Sequence, residues 1–343
     1  MIVSKSYNLY NMSNNFWKKI NKRPFFVLAP MADVTDMPFR QIIAKYGKPD
    51  VFWTEFVACD GLCSVGQEKL VKNLLQFSEK ERPIIAQLFG SKPENFEKSA
   101  RLIKKLGYDG IDINMGCPQK NILKQGAGAE LIKSPELAKE IIRATKKGAG
   151  GLPVSVKTRI GYNKNEIETW IPAILEEEPA VLTIHGRTKK EMSKVSAHWD
   201  IVKDVVEIRD RMKSKTLIIG NGDVVSAEDG LKKAKESGVD GIMIGRGIFG
   251  NPWLFSEKNP SIKQKLKVAL EHTKLFEKIF GETKENKKVF GGRARNFALM
   301  KKHYKAYING FDGAKELRMK LMEADSTKEV EEIISKKIKS LEK

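Results

Sequence analysis

The feature that most constrains this fold is a regular alternation of eight short apolar runs, each followed by a segment with a helical pattern. The runs are rich in Val, Ile and Leu throughout, as expected of parallel strands covered on both faces. This alternation predicts an α/β protein, a (β/α)8 or TIM barrel. A doubly wound open sheet gives a similar pattern, but the count of eight favours the barrel. The runs span residues 25–31, 51–57, 83–89, 110–116, 153–158, 181–185, 216–219 and 241–244.

Polar residues follow or close six of these runs at their carboxyl ends. In a barrel these ends converge on one face, where barrel enzymes carry their active sites. Six strands with this property predict a functional site at that face. The residues are Gln87; Asn114 and Cys117; Lys157 and Arg159; His185 and Arg187; Asn221, Gly222 and Asp223; and Gly245, Arg246 and Gly247.

Cys117 lies within Gly116-Cys117-Pro118, directly after the fourth run. The glycine permits a tight backbone and the proline cannot extend a strand ladder, so we expect the cysteine on a loop at the strand mouth. That position suits a reacting side chain. A free cysteine is also commonly a small buried hydrophobe, and this stretch alone leaves both interpretations open.

The loops after the seventh and eighth runs have the composition of a phosphate site. Glycines in Asn221-Gly222-Asp223 and Gly245-Arg246-Gly247 let backbone N–H groups approach an anion, and Arg246 adds positive charge. Turn glycines beside a solvated arginine are the alternative. Lys157 lies between apolar neighbours in the fifth run, where an ammonium group is unfavourable unless it meets an anion, a polar ligand or a carboxylate.

The net charge of +19 indicates a polyanionic partner. Residues 261–343 hold 21 Lys and Arg against 12 Asp and Glu, nearly half of the excess in a quarter of the chain. Helical spacing puts apolar side chains on one face of a basic segment, although a solvated lysine-rich helix is the alternative. That apolar face is Phe297, Met300, Tyr304, Tyr307 and Ile308. The candidate phosphate contacts are Arg293, Arg295, Lys301, Lys302 and Lys305.

Several classes of protein are disfavoured. No run of about 18 apolar residues is present, so we expect no membrane span. Three cysteines in 343 residues favour a reducing cytoplasm. Cys59 and Cys63 lack a second cysteine pair or a nearby histidine, so core packing is favoured over a metal site and no metal is expected.

The ordered motifs resemble those of the tRNA-dihydrouridine synthases, FMN-dependent enzymes with a barrel and a C-terminal helical domain. Each motif is weak alone, but their order over residues 25–255 is specific. They are Ala29-Pro30-Met31-Ala32 with Thr35-Asp36 and Phe39-Arg40; Gln87-Leu88-Phe89-Gly90; Asn114-Met115-Gly116-Cys117-Pro118; Gly126-Ala127-Gly128-Ala129; Ser155-Val156-Lys157-Thr158-Arg159; His185-Gly186-Arg187-Thr188; Asn221-Gly222-Asp223; and Gly245-Arg246-Gly247.

The resemblance implies an FMN-binding barrel over residues 23–258 and a helical tRNA-binding domain over residues 259–343. Residues 1–22 lie outside the match, and we expect a flexible N-terminal segment there. The implied roles are a flavin ring lined by Pro30, Met31, Ala32, Gln87 and Lys157; His185 facing the flavin or its phosphate; Asn221, Gly222, Asp223, Gly245 and Arg246 on the ribityl phosphate; Cys117 as general acid; and Asn114, Arg159 and Arg187 on the substrate side.

The implied activity is reduction of the C5–C6 double bond of specific uridines in tRNA. NADPH or NADH would reduce the flavin, hydride would pass to C6, and the Cys117 thiol would protonate C5. The target base must leave folded RNA to reach the pocket. One barrel and one RNA-gripping domain suffice, so we expect a monomer.

Two other functions remain possible from the sequence. One is an FMN barrel acting on a free pyrimidine, similar to the dihydroorotate dehydrogenases, which needs no basic helical tail. The other is a non-catalytic RNA-binding protein, which would need neither Cys117 nor Lys157. The chain also departs from the tRNA-dihydrouridine synthase pattern at Ala197-His198-Trp199, in a loop expected to border the RNA.

Overall fold

The computed structural model describes residues 15–256 and 258–341. Eight strands lie close to the eight predicted runs. They are β1 (Phe25–Leu28), β2 (Phe52–Ala58), β3 (Ile84–Phe89), β4 (Gly110–Met115), β5 (Val154–Arg159), β6 (Val181–His185), β7 (Leu217–Asn221) and β8 (Gly241–Ile244).

All eight strands belong to one parallel sheet in the order β1-β8-β7-β6-β5-β4-β3-β2. The sheet curls back towards its first strand. The Asp50 N–H donates to the Phe26 carbonyl at 2.8 Å, and the Leu28 N–H donates to the Val51 carbonyl at 3.2 Å. These bonds link β1 to the residues that lead into β2. The arrangement is consistent with the predicted TIM barrel.

Helices follow every strand. Asp36 caps the first of them by accepting a hydrogen bond from the Phe39 N–H at 3.0 Å, with Pro38 in the first turn. The helices between strands are α1 (Met37–Tyr46), α2 (Cys59–Leu62), α3 (Gln67–Leu74), α4 (Pro93–Lys105), α5 (Lys120–Leu123), α6 (Pro135–Ala149), α7 (Ile167–Leu175), α8 (Trp199–Arg211) and α9 (Ala227–Ser237). Those after β8 are α10 (Ile262–Phe280), α11 (Lys284–Phe290), α12 (Met300–Tyr307), α13 (Ala314–Glu323) and α14 (Thr327–Ser340).

The interior of the sheet holds its own apolar cluster, separate from the one beneath the helices. It consists of inward-facing strand residues such as Val27, Trp53 and Met243. Trp17 joins this cluster and is 2% exposed, with its ring centroid 6.0 Å from that of Trp53. Residues 1–22 were predicted to be flexible, but the structure differs from this prediction over part of the segment. Phe16–Lys19 forms a 3-10 helix that packs on the barrel. Residues 1–14 lie outside the described residues.

A second, larger cluster lies outside the sheet and continues into the helices after β8. Phe39 on α1 stacks on His272 of α10, with ring centroids 5.3 Å apart, and lies 4.8 Å from the ring of His303 on α12. The C-terminal helices therefore share a core with the barrel. The predicted apolar face is confirmed as buried, although it runs through a 3-10 turn (Phe297–Leu299) before α12 begins.

No helix within the described ranges is long and apolar enough to cross a membrane.

Candidate active site

The strand ends bring the predicted site residues together. Parallel pairing places Asn114 beside Lys157, Arg159 beside His185, and His185 beside Asn221. Side chains at such positions share one face of the sheet, because residues two apart on a strand point the same way. The mouth of the barrel is therefore lined by residues from at least four strands.

A hydrogen-bonded chain of polar side chains crosses the buried part of this mouth. Gln87 donates from Nε2 to Asp112 Oδ2 at 2.6 Å, and Ser155 donates from Oγ to Asp112 Oδ1, also at 2.6 Å. Asn114 donates from Nδ2 to Gln87 Oε1 at 3.0 Å. Burial raises the pKa of Asp112 to about 6. The chain fixes the orientation of Gln87 and Asn114, two of the predicted site residues.

Asn114 also holds the loop that carries Cys117. Its Oδ1 accepts hydrogen bonds from the backbone N–H groups of Gly116 at 3.1 Å and Cys117 at 2.9 Å. Gly128 has a φ of +65° and packs against the same loop, since a Cβ there would lie 2.7 Å from the Cys117 carbonyl oxygen. Both contacts limit the freedom of the Cys117 backbone.

The thiol of Cys117 is partly buried, and this burial raises its pKa above the ordinary value despite the positive charges of Arg159 and Lys157. A raised pKa keeps the thiol protonated at neutral pH. The group is therefore able to donate a proton and is poorly suited to act as a thiolate nucleophile.

Lys157 has no hydrogen-bond or ion-pair partner among residues 15–256 and 258–341. It lies on β5 beside Thr183 of β6, whose Oγ1 is buried and also lacks a partner. Burial lowers the pKa of Lys157 to about 8, with Arg159 adding to the effect. Lys157 is partly buried and Thr183 Oγ1 is fully buried, and buried polar groups are nearly always paired, so these two groups indicate a place for a polar ligand.

Arg159 connects the Cys117 loop to the loop after β6. Its Nε donates to the Gly116 carbonyl at 2.7 Å and its Nη1 donates to the Thr188 carbonyl at 3.1 Å. Burial lowers the pKa of this guanidinium to about 10. The residue predicted on the substrate side therefore also braces the loop that carries the candidate acid.

Arg187 is buried and holds the loop after β6 in place. It donates to the carboxylate of Asp223 and, through Nε, to the Val195 carbonyl at 2.6 Å. Its Nη1 lies 3.3 Å from Nε2 of His185. Burial, together with the cations around the mouth, holds the pKa of His185 well below its usual value, so this imidazole is neutral.

Asp223 joins the two candidate phosphate loops. Its Oδ1 accepts from Arg246 Nη2 at 3.1 Å, and its Oδ2 accepts from the Ala197 N–H at 2.9 Å. The hydrogen bond from Arg187 lowers the pKa of Asp223 most, so the carboxylate stays ionised. Asp223 therefore forms ion pairs with Arg187 and Arg246. The Arg246 side chain nevertheless stays 68% exposed.

Backbone N–H groups around these loops are free to bind an anion. Those of Asp223, Gly245 and Arg246 donate to no acceptor in the described part of the chain. Gly222 has a φ of +131°, and a Cβ there would lie 2.6 Å from that of Ala197. Donors of this kind beside an exposed arginine fit a phosphate group.

The predicted basic residues of the C-terminal segment have different environments. Arg293 pairs with Glu277 at 3.0 and 2.7 Å, Lys301 pairs with Asp325 at 3.0 Å, and Lys305 is exposed. Lys302 donates from Nζ to the carbonyl of Asp33, in the loop after β1, at 2.7 Å.

Arg295 differs most from expectation. It precedes the helical turn and its side chain is 4% exposed, because it forms a buried ion pair with Glu55 on β2. His303 on α12 is buried.

Sequence reasoning missed four residues of the site and its support: Glu55, Asp112, Ser155 and Thr183. A signal for Asp112 was present, since Asp112 and Asn114 are polar at alternate positions of an apolar strand. Ser155 stands in the same phase as Lys157. Thr183 and Glu55 carried no such signal, because their significance comes from what surrounds them.

The two remaining cysteines have different environments, because Cys59 is buried and Cys63 is exposed. The described residues contain no group of three or more His, Cys, Asp or Glu side chains that could hold a metal ion.

Residues 27–342 match the sequence model of the family described as dihydrouridine synthase (Dus). The chain belongs to the dihydrouridine synthase family. It is 45% identical to "Probable tRNA-dihydrouridine synthase 2" of Bacillus subtilis strain 168 over 94% of this chain and 96% of that protein. It is 43% identical to "Probable tRNA-dihydrouridine synthase" of Staphylococcus aureus strain MRSA252, over 94% and 95%. Members of this family are flavin-dependent oxidoreductases, and the chain is therefore assigned to that class of enzyme.

Among solved structures, the chain is similar to a 2-naphthoyl-CoA reductase in complex with 2-naphthoyl-CoA. The TM-score is 0.50 at 13% identity, covering 68% of this chain and 49% of that one. A likeness at this level of identity concerns the fold alone.

Proposed function

We propose that this dihydrouridine synthase family member uses FMN and NADPH or NADH to reduce specific uridines of tRNA to 5,6-dihydrouridine. Cys117 is the general acid. The observation that carries the proposal is the unpartnered Lys157 at the barrel mouth, among the strand ends that also carry Cys117. The family match supports the substrate class, and the polar lining of the mouth supports the site.

The site fits FMN on two observations. Lys157 Nζ and the buried Thr183 Oγ1 are polar groups without a partner in the described residues, as expected where a flavin ring edge would bind. The free amides of Asp223, Gly245 and Arg246 suit a ribityl phosphate, and Asn221 and Gly222 lie in the same loops. Pro30, Met31, Ala32, Gln87 and His185 complete the proposed lining. When bound, FMN supplies a hydride for C6 of the uracil ring.

Cys117 supplies the proton that this reduction requires. As C6 gains hydride, negative charge develops towards C5 and O4, and the S–H bond of Cys117 breaks to form the C5–H bond. The raised pKa of the thiol keeps that proton available at neutral pH. Asn114 and Arg159 hold the Cys117 loop from two sides, and we place both near the base.

We assign FMN binding to residues 23–258 and tRNA binding to the helical residues 259–343. Arg187 anchors the loop after β6 that borders the substrate. Arg293, Lys301, Lys302 and Lys305 lie on or beside the proposed RNA surface, where cations raise affinity in a salt-dependent way. We place the enzyme in the cytoplasm as a monomer.

The test is dihydrouridine formation in unmodified tRNA, incubated with the purified protein, FMN and NADPH. Mass spectrometry of digested tRNA should show a gain of about two mass units on specific uridines, because two hydrogens are added. Cys117→Ala should lower the rate by about a hundredfold or more while FMN and tRNA still bind. Full activity of this variant would remove Cys117 from the mechanism. Absence of product despite bound FMN and tRNA would contradict the proposed reaction.

A further inference from the structure

The loop after β1, residues 29–36, contains one residue with an unusual backbone conformation, and side chains from two other elements hold that residue in place. Asp33 has a φ of +56°, a left-handed conformation that few residues other than glycine adopt. Its N–H donates to Glu55 Oε1 at 2.6 Å, and its carbonyl accepts from Lys302 Nζ at 2.7 Å. A strained residue persists when its surroundings hold it, and here a β2 side chain and an α12 side chain do so.

Glu55 is in turn held by Arg295. The guanidinium donates from Nη1 to Oε1 at 3.2 Å and from Nη2 to Oε2 at 2.6 Å, and its Nε donates to Asn73 Oδ1 at 2.5 Å. Both side chains are almost fully buried. Oε1 thus receives both the Asp33 N–H and Arg295, so the arginine fixes the carboxylate on which the loop is anchored.

Met31 connects this anchored loop to the mouth of the barrel. The carbonyl of Met31 accepts from the N–H groups of Val34 at 3.1 Å and Thr35 at 3.0 Å, and its own N–H donates to Thr35 Oγ1 at 2.9 Å. Its Sδ lies 3.7 Å from where a Cβ on Gly245 would stand, at the candidate phosphate loop. A shift of Asp33 within so closed a turn moves Met31 as well.

We propose that Arg295 is a positioning residue for flavin binding: through Glu55 it holds the Met31 loop against the mouth of the barrel. FMN affinity therefore depends on the docking of the C-terminal segment, even without RNA. This inference rests on the proposed function, since it takes the mouth as the FMN site. It assigns Arg295 to the flavin side of the enzyme, away from the tRNA surface.

The main test measures FMN binding to the full-length apoprotein by flavin fluorescence, comparing wild type with Arg295→Lys. Lysine keeps the charge but cannot form the bidentate contact. We expect the Kd for FMN to rise about tenfold, as for the loss of a charged hydrogen bond. Visible circular dichroism of bound FMN at saturation should change too, because Met31 shifts relative to the ring. The matched control is Arg318→Lys, on α13, whose Nη1 donates to the Ile308 carbonyl.

A second variant tests the same loop from the solvent side and should not endanger folding. Lys302→Met removes the hydrogen bond to the Asp33 carbonyl, and we expect the Kd for FMN to rise about twofold to threefold. Its control is Lys274→Met, which breaks the exposed pair with Glu331 between α10 and α14. If Arg295→Lys does not fold, the comparison of Lys302→Met with Lys274→Met tests whether the Met31 loop controls FMN affinity.

The outcomes separate the two proposals. Failure of wild type to bind FMN would overturn the proposed function and this inference together. Binding by wild type, with Arg295→Lys and Lys302→Met both equal to their controls, would overturn this inference alone. A lower melting temperature of Arg295→Lys with unchanged Kd and dichroism would assign the arginine a purely structural role and also overturn it.

Discussion

Cations lie both at the mouth of the barrel and among the contacts that brace its outer side, but the two regions hold them differently. Lys157 at the mouth has no partner in the described residues, whereas Arg40 pairs with Glu81 at 2.6 Å and Arg295 pairs with Glu55. A buried cation is unfavourable unless it is paired. Where the fold supplies the carboxylate, the cation is structural. Where it does not, the cation indicates a ligand.

The comparison is sharpest between Arg40→Met and Lys157→Met. Arg40→Met leaves Glu81 buried without its cation, so we expect a loss of about 3–5 kcal/mol in the free energy of unfolding. Lys157→Met removes an unpaired, partly buried charge and should leave the free energy of unfolding unchanged or raise it, while FMN affinity falls. Urea unfolding and FMN titration of both variants measure the two effects. A destabilised Lys157→Met would contradict the distinction between paired and unpaired cations.

A smaller effect on FMN affinity is expected from a change at Asp223. This carboxylate pairs with Arg187 and Arg246 beside the free amides of the candidate phosphate loops. Asp223→Asn removes the charge that holds Arg187 and Arg246 at the candidate phosphate loops, and the Kd for FMN should rise about tenfold. Riboflavin lacks the phosphate, so its Kd should stay the same. An equal rise for both ligands would show that Asp223 acts on the ring site instead. Arg209→Lys, at an ion pair with Asp240 away from the loops, is the control.

A further effect concerns the buried histidines between α1, α10 and α12. Burial lowers the pKa of His303 to about 3, aided by Lys302, and holds that of His272 well below its usual value. The unfolded imidazoles bind protons near pH 6.5 and the folded ones do not. The free energy of unfolding should therefore be largest above pH 6.5 and fall as the pH decreases towards 3.

Urea unfolding between pH 7.5 and 4.5 measures this slope. His303→Phe should flatten it, whereas His198→Gln, at a partly exposed histidine paired with Glu191, should not. Identical slopes in wild type and His303→Phe would show that His303 does not contribute to the acid sensitivity.

Much of the fold could be predicted because its signals are local. Each strand is a continuous apolar run, and the buried face of residues 297–308 follows from helical spacing. The site could be predicted in outline for the same reason, since parallel strands all present their carboxyl ends at one face. The place of Cys117 on a loop after β4 followed from one glycine and one proline.

The sequence by itself thus determined the eight strands, the face that carries the candidate site and the residues at the strand ends. Only the tertiary structure decided which cations are free. Lys157 lies in an apolar strand run and Arg295 in a basic segment, and neither pattern shows which of the two has a partner. The partner of Arg295 is Glu55, 240 residues earlier in the chain. Whether a buried charge is paired depends on such long-range contacts, which no local pattern encodes.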